Sequence, residues 1–230
     1  MHRYGVGMQP LSRLTALGLI ALSASACGGS HESTPSAASS SRRAVQYDIA
    51  RVDNVKNDVP AGFKAAPSPV VTLTPDDVDN AKVIPFTKAT YDPPQCRALV
   101  IPPYVEPTVG ARAAILGAEG DRGEFFIVAM RLPHPVTVGP PPSGCDHVAM
   151  SGSDEATGTA EPVPAPKIEG VTTTGLRLKP TTDQTPGGYV FTAALDDQTS
   201  IAVMGGADED LNPQRMLSDL LVKATAAVRG

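Results

Sequence analysis

ARAAILGAEGDRGEFFIVAMRL, residues 111–132, is the stretch whose reading decides the fold. Two apolar-rich runs, 111–119 and 124–132, flank Gly120-Asp121-Arg122-Gly123. Four small, polar residues between such runs suit a tight turn, so the segment predicts an antiparallel hairpin. Phe125 and Phe126 are adjacent, so in a strand they project to opposite faces and at least one face must be covered by another element. Gly117, Gly120 and Gly123 recur every three residues, but no Lys-Ser/Thr follows and no helix is predicted, which excludes a phosphate-binding loop.

Toward the C-terminus, residues 133–144 (PHPVTVGPPPSG) read as a stiff extended crossing. A strand is expected at about 146–150, followed by a long small-residue and proline-rich loop at 151–167. Residues 171–178, 189–195 and 200–204 predict three further strands, the last two joined through Asp196-Asp197-Gln198-Thr199. Asn212-Pro213 opens a final helix on which Met216, Leu217, Leu220, Leu221, Ala224 and Val228 share one stripe, the pattern of a helix packed on a sheet. Asp208-Glu209-Asp210 precedes its positive end.

On the N-terminal side, Tyr47, Ile49 and Val52 alternate loosely with polar neighbours, which predicts a strand over 47–53 ended by a turn at 58–63. Thr74-Pro75-Asp76-Asp77 supplies an N-cap, a proline at the first helical position and two first-turn acids, so a short helix is expected at 75–82. The glycine and closing Glu of a calcium loop are missing there, so Asp76, Asp77 and Asp79 read as dipole partners. A second short helix holding Cys96 is expected at 94–100, stopped by Pro102-Pro103. The sum is an α+β domain over 47–230: an antiparallel sheet of about six strands, a long C-terminal helix, one or two short helices, and a sheet face or rim left open. If that open face is a groove, Ile115, Phe126, Val128, Phe191 and Val203 are its expected lining.

The first residues carry an address. Arg3 and Arg13 flank a short apolar core, 14–22 (LTALGLIAL), and small residues 23–26 lead into Cys27. Nine apolar residues are too few for a membrane span, which needs about 20, so 1–26 reads as a cleaved signal peptide. Cys27 after Ala-Ser-Ala resembles a bacterial lipobox cysteine, which implies acylation and attachment to the membrane through the lipid. Ala24 stands where that motif usually has Leu, so ordinary cleavage with a free Cys27 is the alternative. Residues 27–46 are then a Ser-, Ala- and Gly-rich tether, disordered by composition.

Composition sets the exclusions. The chain of 230 residues has a net charge of −5, and without residues 1–26 it has 17 Lys and Arg against 24 acids, a net charge of −7. No excess of cations is available to neutralise phosphates, so nucleic-acid binding is not expected. With no Trp and 4% aromatics, a base-stacking or lectin surface is not expected either. With Cys27 committed to lipid, Cys96 and Cys145 are an even pair with 48 residues between them, and export makes a disulfide the simplest reading. The competing reading, a metal or thiol site built on Cys145-Asp146-His147, lacks the three or four convergent ligands such a site needs. No nucleophile motif is present, and His134 and His147 stand near no recognisable partner serine, so neither an enzyme nor a cofactor is expected.

Five stretches together resemble a known group: YDIARVDNVKNDVPAGF, DPPQC around Cys96, FIVAMRLP, SGCD at Cys145 and the closing LNPQRMLSDLLVKATAAVRG. They are similar to mycobacterial lipoproteins of the LprH type, over about residues 47–230. The resemblance implies an exported envelope lipoprotein with a disulfide-bearing domain. The order of strands, bridge and terminal helix is also similar, in architecture, to the extracellular sensor domains of receptor kinases such as PknH, which implies a ligand cleft. The expected function is thus a lipid-anchored, non-enzymatic envelope protein that binds a small or lipidic ligand. The competing expectation is an envelope protein that docks a partner protein through 151–167 or its acidic rim, and a cell-wall hydrolase using His147 is the third.

Overall fold

The computed structural model describes residues 46–79, 87–152, 157–181 and 187–230. The expected signal peptide at 1–26, Cys27, most of the expected tether at 27–46 and residues 80–82 of the helix expected at 75–82 lie outside them.

The 111–132 hairpin is present as β4 (Arg112–Gly120) and β5 (Gly123–Arg131), paired from Arg112 with Arg131 to Gly120 with Gly123. Gly123 has φ +145°, and a Cβ there would collide with the Gly206 carbonyl, so the two-residue turn is closed by a residue that only glycine can be. The sheet around this hairpin is larger than expected. Its ten strands add β1 (Lys64–Pro67), β2 (Val71–Thr72), β3 (Thr90–Asp92), β6 (Val148–Ser151), β7 (Gly158–Pro162), β8 (Thr172–Pro180), β9 (Gly188–Ala194) and β10 (Thr199–Ala207). The order is β1-β4-β5-β10-β9-β8-β7-β6-β3, with β2 also on β4 and every pairing antiparallel.

The four strands absent from the sequence-based count have a common cause. β1, β2 and β3 are two to four residues long and mostly exposed, so they show no apolar alternation. β7 lies inside the expected 151–167 loop: its sequence, GTAEP, buries only Gly158 and Ala160, residues too small to register as a strand face.

A second correction concerns 47–53. No strand forms; Ile49–Asp58 is a 3-10 helix with Asp48 as its cap, its carboxylate accepting from the Ala50 N–H. Ile49, Val52 and Val55 are its buried residues, spaced by three, which is the 3-10 repeat. The spacing of two between Tyr47 and Ile49 suggests a strand only because the window stops before Val55. The short helices are α1 (Pro75–Asp79) and α2 (Arg97–Val100), the latter preceded by a 3-10 turn, Pro94–Cys96, and followed by another, Pro103–Val105. α1 begins as expected: Thr74 Oγ1 accepts from the Asp77 N–H and Asp77 accepts in return from the Thr74 N–H, a reciprocal cap.

The long helix α3 (Pro213–Arg229) buries Leu217, Leu220, Leu221, Ala224 and Val228 against one face of the sheet. Each of the leucines contributes about 1.5–3 kcal/mol by leaving water. Leu116, Phe125, Ile127, Phe191, Ile201 and Val203 meet that stripe from the sheet side, with Ile49, Val52 and Val55 from the 3-10 helix beside it. The end of α3 lies beside the start of the 3-10 helix, with the Asp48 N–H donating to the Val228 carbonyl at 3.1 Å. The described residues therefore enclose their own core, as an independently folding domain does.

Candidate functional site

The second face of the sheet is not open. Val128, Ala202, Met204, Leu176 and Met150 project there and are covered by Leu99, Val100, Ile101, Tyr104 and Val105. These covering residues come from the short helical segments at 94–105, and the extended crossing at 133–144 runs beside them with Val136 and Val138 packed against the same cluster. Cys96 and Cys145 form the disulfide that joins the two, with Cα atoms 5.5 Å apart and both residues buried. Arg97 and Glu106 add an ion pair at 2.5 Å across the ends of the helical segment, and that contact holds the Arg97 guanidinium above its ordinary pKa.

The five residues expected to line one groove therefore do not share one. Phe191 and Val203 are fully buried under α3, whereas Val128 is buried on the opposite face with Ile115 and Phe126 half-buried beside it. The period of two along each strand divides them: Val203 pairs with Ile127 and Phe191, and Phe126 pairs with Met204.

What the structure offers instead is a cleft of about 220 Å³ between the two covering segments. Ala98, Leu99, Pro102, Pro103 and Tyr104 form one wall, Thr137 and Gly139 to Pro142 the other, and Thr174 of β8 completes the lining. Proline governs both walls because it lacks an N–H and holds an extended or turn backbone, so neither wall can zip onto the sheet. Behind this lining sits a buried hydroxyl cluster. Thr192 Oγ1 lies 3.0 Å from Tyr104 Oη and 2.6 Å from Thr174 Oγ1, and Ser200 Oγ donates to the Tyr104 carbonyl. Burial pushes the Tyr104 phenol above its ordinary pKa, with the Thr192 and Thr174 hydroxyls opposing the shift, so Tyr104 is neutral at physiological pH.

Sequence reasoning missed this cleft although a signal for it was present. Cys96 stands two residues before Ala98 and Cys145 three after Pro142, so the bridge itself brings the two proline segments side by side.

The other candidate residues are placed as follows. His147 is exposed, with Nδ1 3.5 Å from Glu161, whose other oxygen accepts from Lys179 Nζ at 2.6 Å. Lys179 chiefly holds the Glu161 carboxyl below its usual range, as does His147 more weakly. His134 is exposed on the crossing. The acidic run before α3 is engaged: Arg122 pairs with both Asp208 and Asp210, which ties the β4–β5 turn to the start of the helix. Among the described residues no cluster of three metal-ligating side chains occurs, and no helix is long and apolar enough to cross a membrane.

A family model for a domain of unknown function, DUF5642, matches residues 48–229. The chain belongs to the DUF5642 family. That match covers nearly all of the folded part, from the cap of the 3-10 helix to the last turn of α3. Among curated proteins, none matches the chain. The chain is similar to the solved structure of an uncharacterized Mycobacterium smegmatis protein, the Rv0999 ortholog. The two share 22% identity with a TM-score of 0.59, over 80% of this chain and 98% of that one. At that identity the likeness establishes a common fold.

Proposed function

We propose that this DUF5642 protein is an exported, lipid-anchored envelope protein of the LprH type, whose domain binds a small or lipidic ligand without catalysing a reaction. The observation that carries the reading is the proline-walled cleft, a concave, mainly apolar site with hydroxyls behind it on a rigid sheet. Its volume of about 220 Å³ is below the usual range of about 300–1,000 Å³ for a drug-sized molecule. It suits one ring or a short acyl segment, with the rest of a larger lipid outside. The non-catalytic reading is supported by the lining, which holds no carboxylate, histidine or cysteine. The anchor rests on Cys27 behind a positive and then apolar leader. Such an anchor needs no transmembrane span, and a chain that carries a net charge of −7 without residues 1–26 is repelled by anionic headgroups, its domain held away at the end of the tether.

The test is native mass spectrometry with lipid extraction on a form beginning at Gly28 and purified from the producing cell. A stoichiometric hydrophobic passenger, lost when Leu99 is replaced by Arg, supports the reading. An empty protein with its disulfide intact overturns the ligand and shifts the function to docking a partner protein. For the anchor, Cys27→Ala releases the full chain from the membrane fraction; a variant that stays membrane-bound refutes it.

A further inference from the structure

We infer that the cleft selects uncharged ligands: an apolar body carrying one neutral hydrogen-bonding group, such as an alcohol, ester or amide. This rests on the ligand-binding reading above and adds the chemical class. Eleven residues line the cleft, and the only titratable one among them is Tyr104, which burial keeps neutral. An ion entering the space would lose water and meet no opposite charge, whereas a neutral group loses only hydrogen bonds that hydroxyls can replace.

The position of that replacement is specific. Thr192 and Tyr104 are almost wholly buried, at 2% and 3% exposure, while Thr174 is half-buried and lines the cleft. A threonine hydroxyl has one proton and two lone pairs, and its contacts with Thr192 and Tyr104 use at most two of these three. Thr174 therefore has capacity left for a ligand, and its orientation is set from behind by Thr192 and Tyr104. The remaining lining is Ala, Leu, Gly and five prolines with one further threonine, Thr137, on the exposed crossing. Because Pro102, Pro103 and Pro140 to Pro142 have no N–H, five of the eleven lining residues offer an anionic headgroup no backbone donor.

The experiment uses a six-carbon series, 1-hexanol, hexanoate and hexylammonium, titrated into the domain from Gly28 while amide resonances of Leu99, Thr137, Gly139 and Thr174 are followed. The expected result is saturable shifts at these four positions with hexanol, and binding at least tenfold weaker for both ions. Thr174→Val, which keeps the shape and removes the hydroxyl, should weaken hexanol three- to tenfold, and Thr174→Ser should restore it. Ions that bind at these positions as tightly as hexanol overturn the inference and leave the ligand-binding reading standing. Hexanol binding that is indifferent to Thr174→Val overturns the assigned polar contact. No shift with any of the three overturns both.

Discussion

The two faces of the sheet are covered by different means. On one, α3 and the 3-10 helix at Ile49–Asp58 lay continuous apolar stripes on Phe125, Phe191 and Val203, and the cover is held chiefly by burial, with the Lys223–Asp58 ion pair at 2.9 Å joining the two helices. On the other, α2 is one turn long and the 133–144 crossing has no regular structure, so neither has an apolar stripe long enough to dock by itself. There the cover is held by the Cys96–Cys145 bridge, the Arg97–Glu106 pair and single hydrogen bonds such as the Val136 N–H to the Asp197 carbonyl at 2.8 Å. The packed face buries its side chains under a continuous helix stripe; the stapled face, covered by irregular segments, carries the proline-walled cleft, and the candidate site is on that side.

The contrast can be broken most directly from the helix side. Leu221→Ala should cost about 3 to 5 kcal/mol, because the leucine is fully buried and a rigid sheet lies beneath it. Urea unfolding checks this, and a loss under about 1 kcal/mol would show that packing does not hold that face. Next in size, Cys96→Ala with Cys145→Ala should cost about 3 to 4 kcal/mol by the loop-entropy estimate. The sharper readout is local: hydrogen exchange should rise in 94–105 and 133–147 well before α3, and equal acceleration everywhere would mean that the faces are one cooperative unit.

Smaller effects refine the picture. Asn212 holds a left-handed backbone with φ 50° and its side chain accepts from the Arg215 N–H. Asn212→Ala should therefore cost about 1 kcal/mol, and Asn212→Gly less, since glycine tolerates that conformation. Thr225 is buried on α3 with no hydrogen-bond partner for its hydroxyl among the described residues. Thr225→Val keeps the shape and should stabilise by up to about 1 kcal/mol, measurable as a raised Tm; a destabilisation would reveal a hidden partner.

The smallest effect is in the pH dependence. Lys179 and Arg122 hold the Glu161 and Asp210 carboxyls below their usual range, so the unfolded chain binds these protons more readily. Their contribution is present above the unfolded carboxyl pKa and is lost as pH falls through the lower, folded values. Glu161→Gln should flatten the acid limb of the stability curve slightly. An unchanged limb would mean that this exposed pair contributes nothing.

Legibility in the sequence divided along the same line. The central hairpin, β8 to β10 and α3 were readable because each repeats an apolar period over many residues, and α1 because Thr74-Pro75-Asp76-Asp77 is a complete local cap. β7 was not readable, since Gly158 and Ala160 carry too little side chain to mark a face, and the edge strands were too short to show one. Ile49–Asp58 misled because a period of two and a period of three coincide over a few residues. The proposed groove failed because residues of similar character on neighbouring strands were grouped without register: Phe191 and Val203 belong to the packed face, Ile115, Phe126 and Val128 to the stapled one.

By itself, then, the sequence determined the elements with long periods and pointed to the pairing of Cys96 with Cys145, because these depend on local pattern and on parity. Only the tertiary structure decided the strand order, which residues share a face, and the placing of Thr174 and Tyr104 beside five prolines in one cleft. Strand register and the closing of distant segments onto a sheet are set by contacts across the whole chain, and no local period records them.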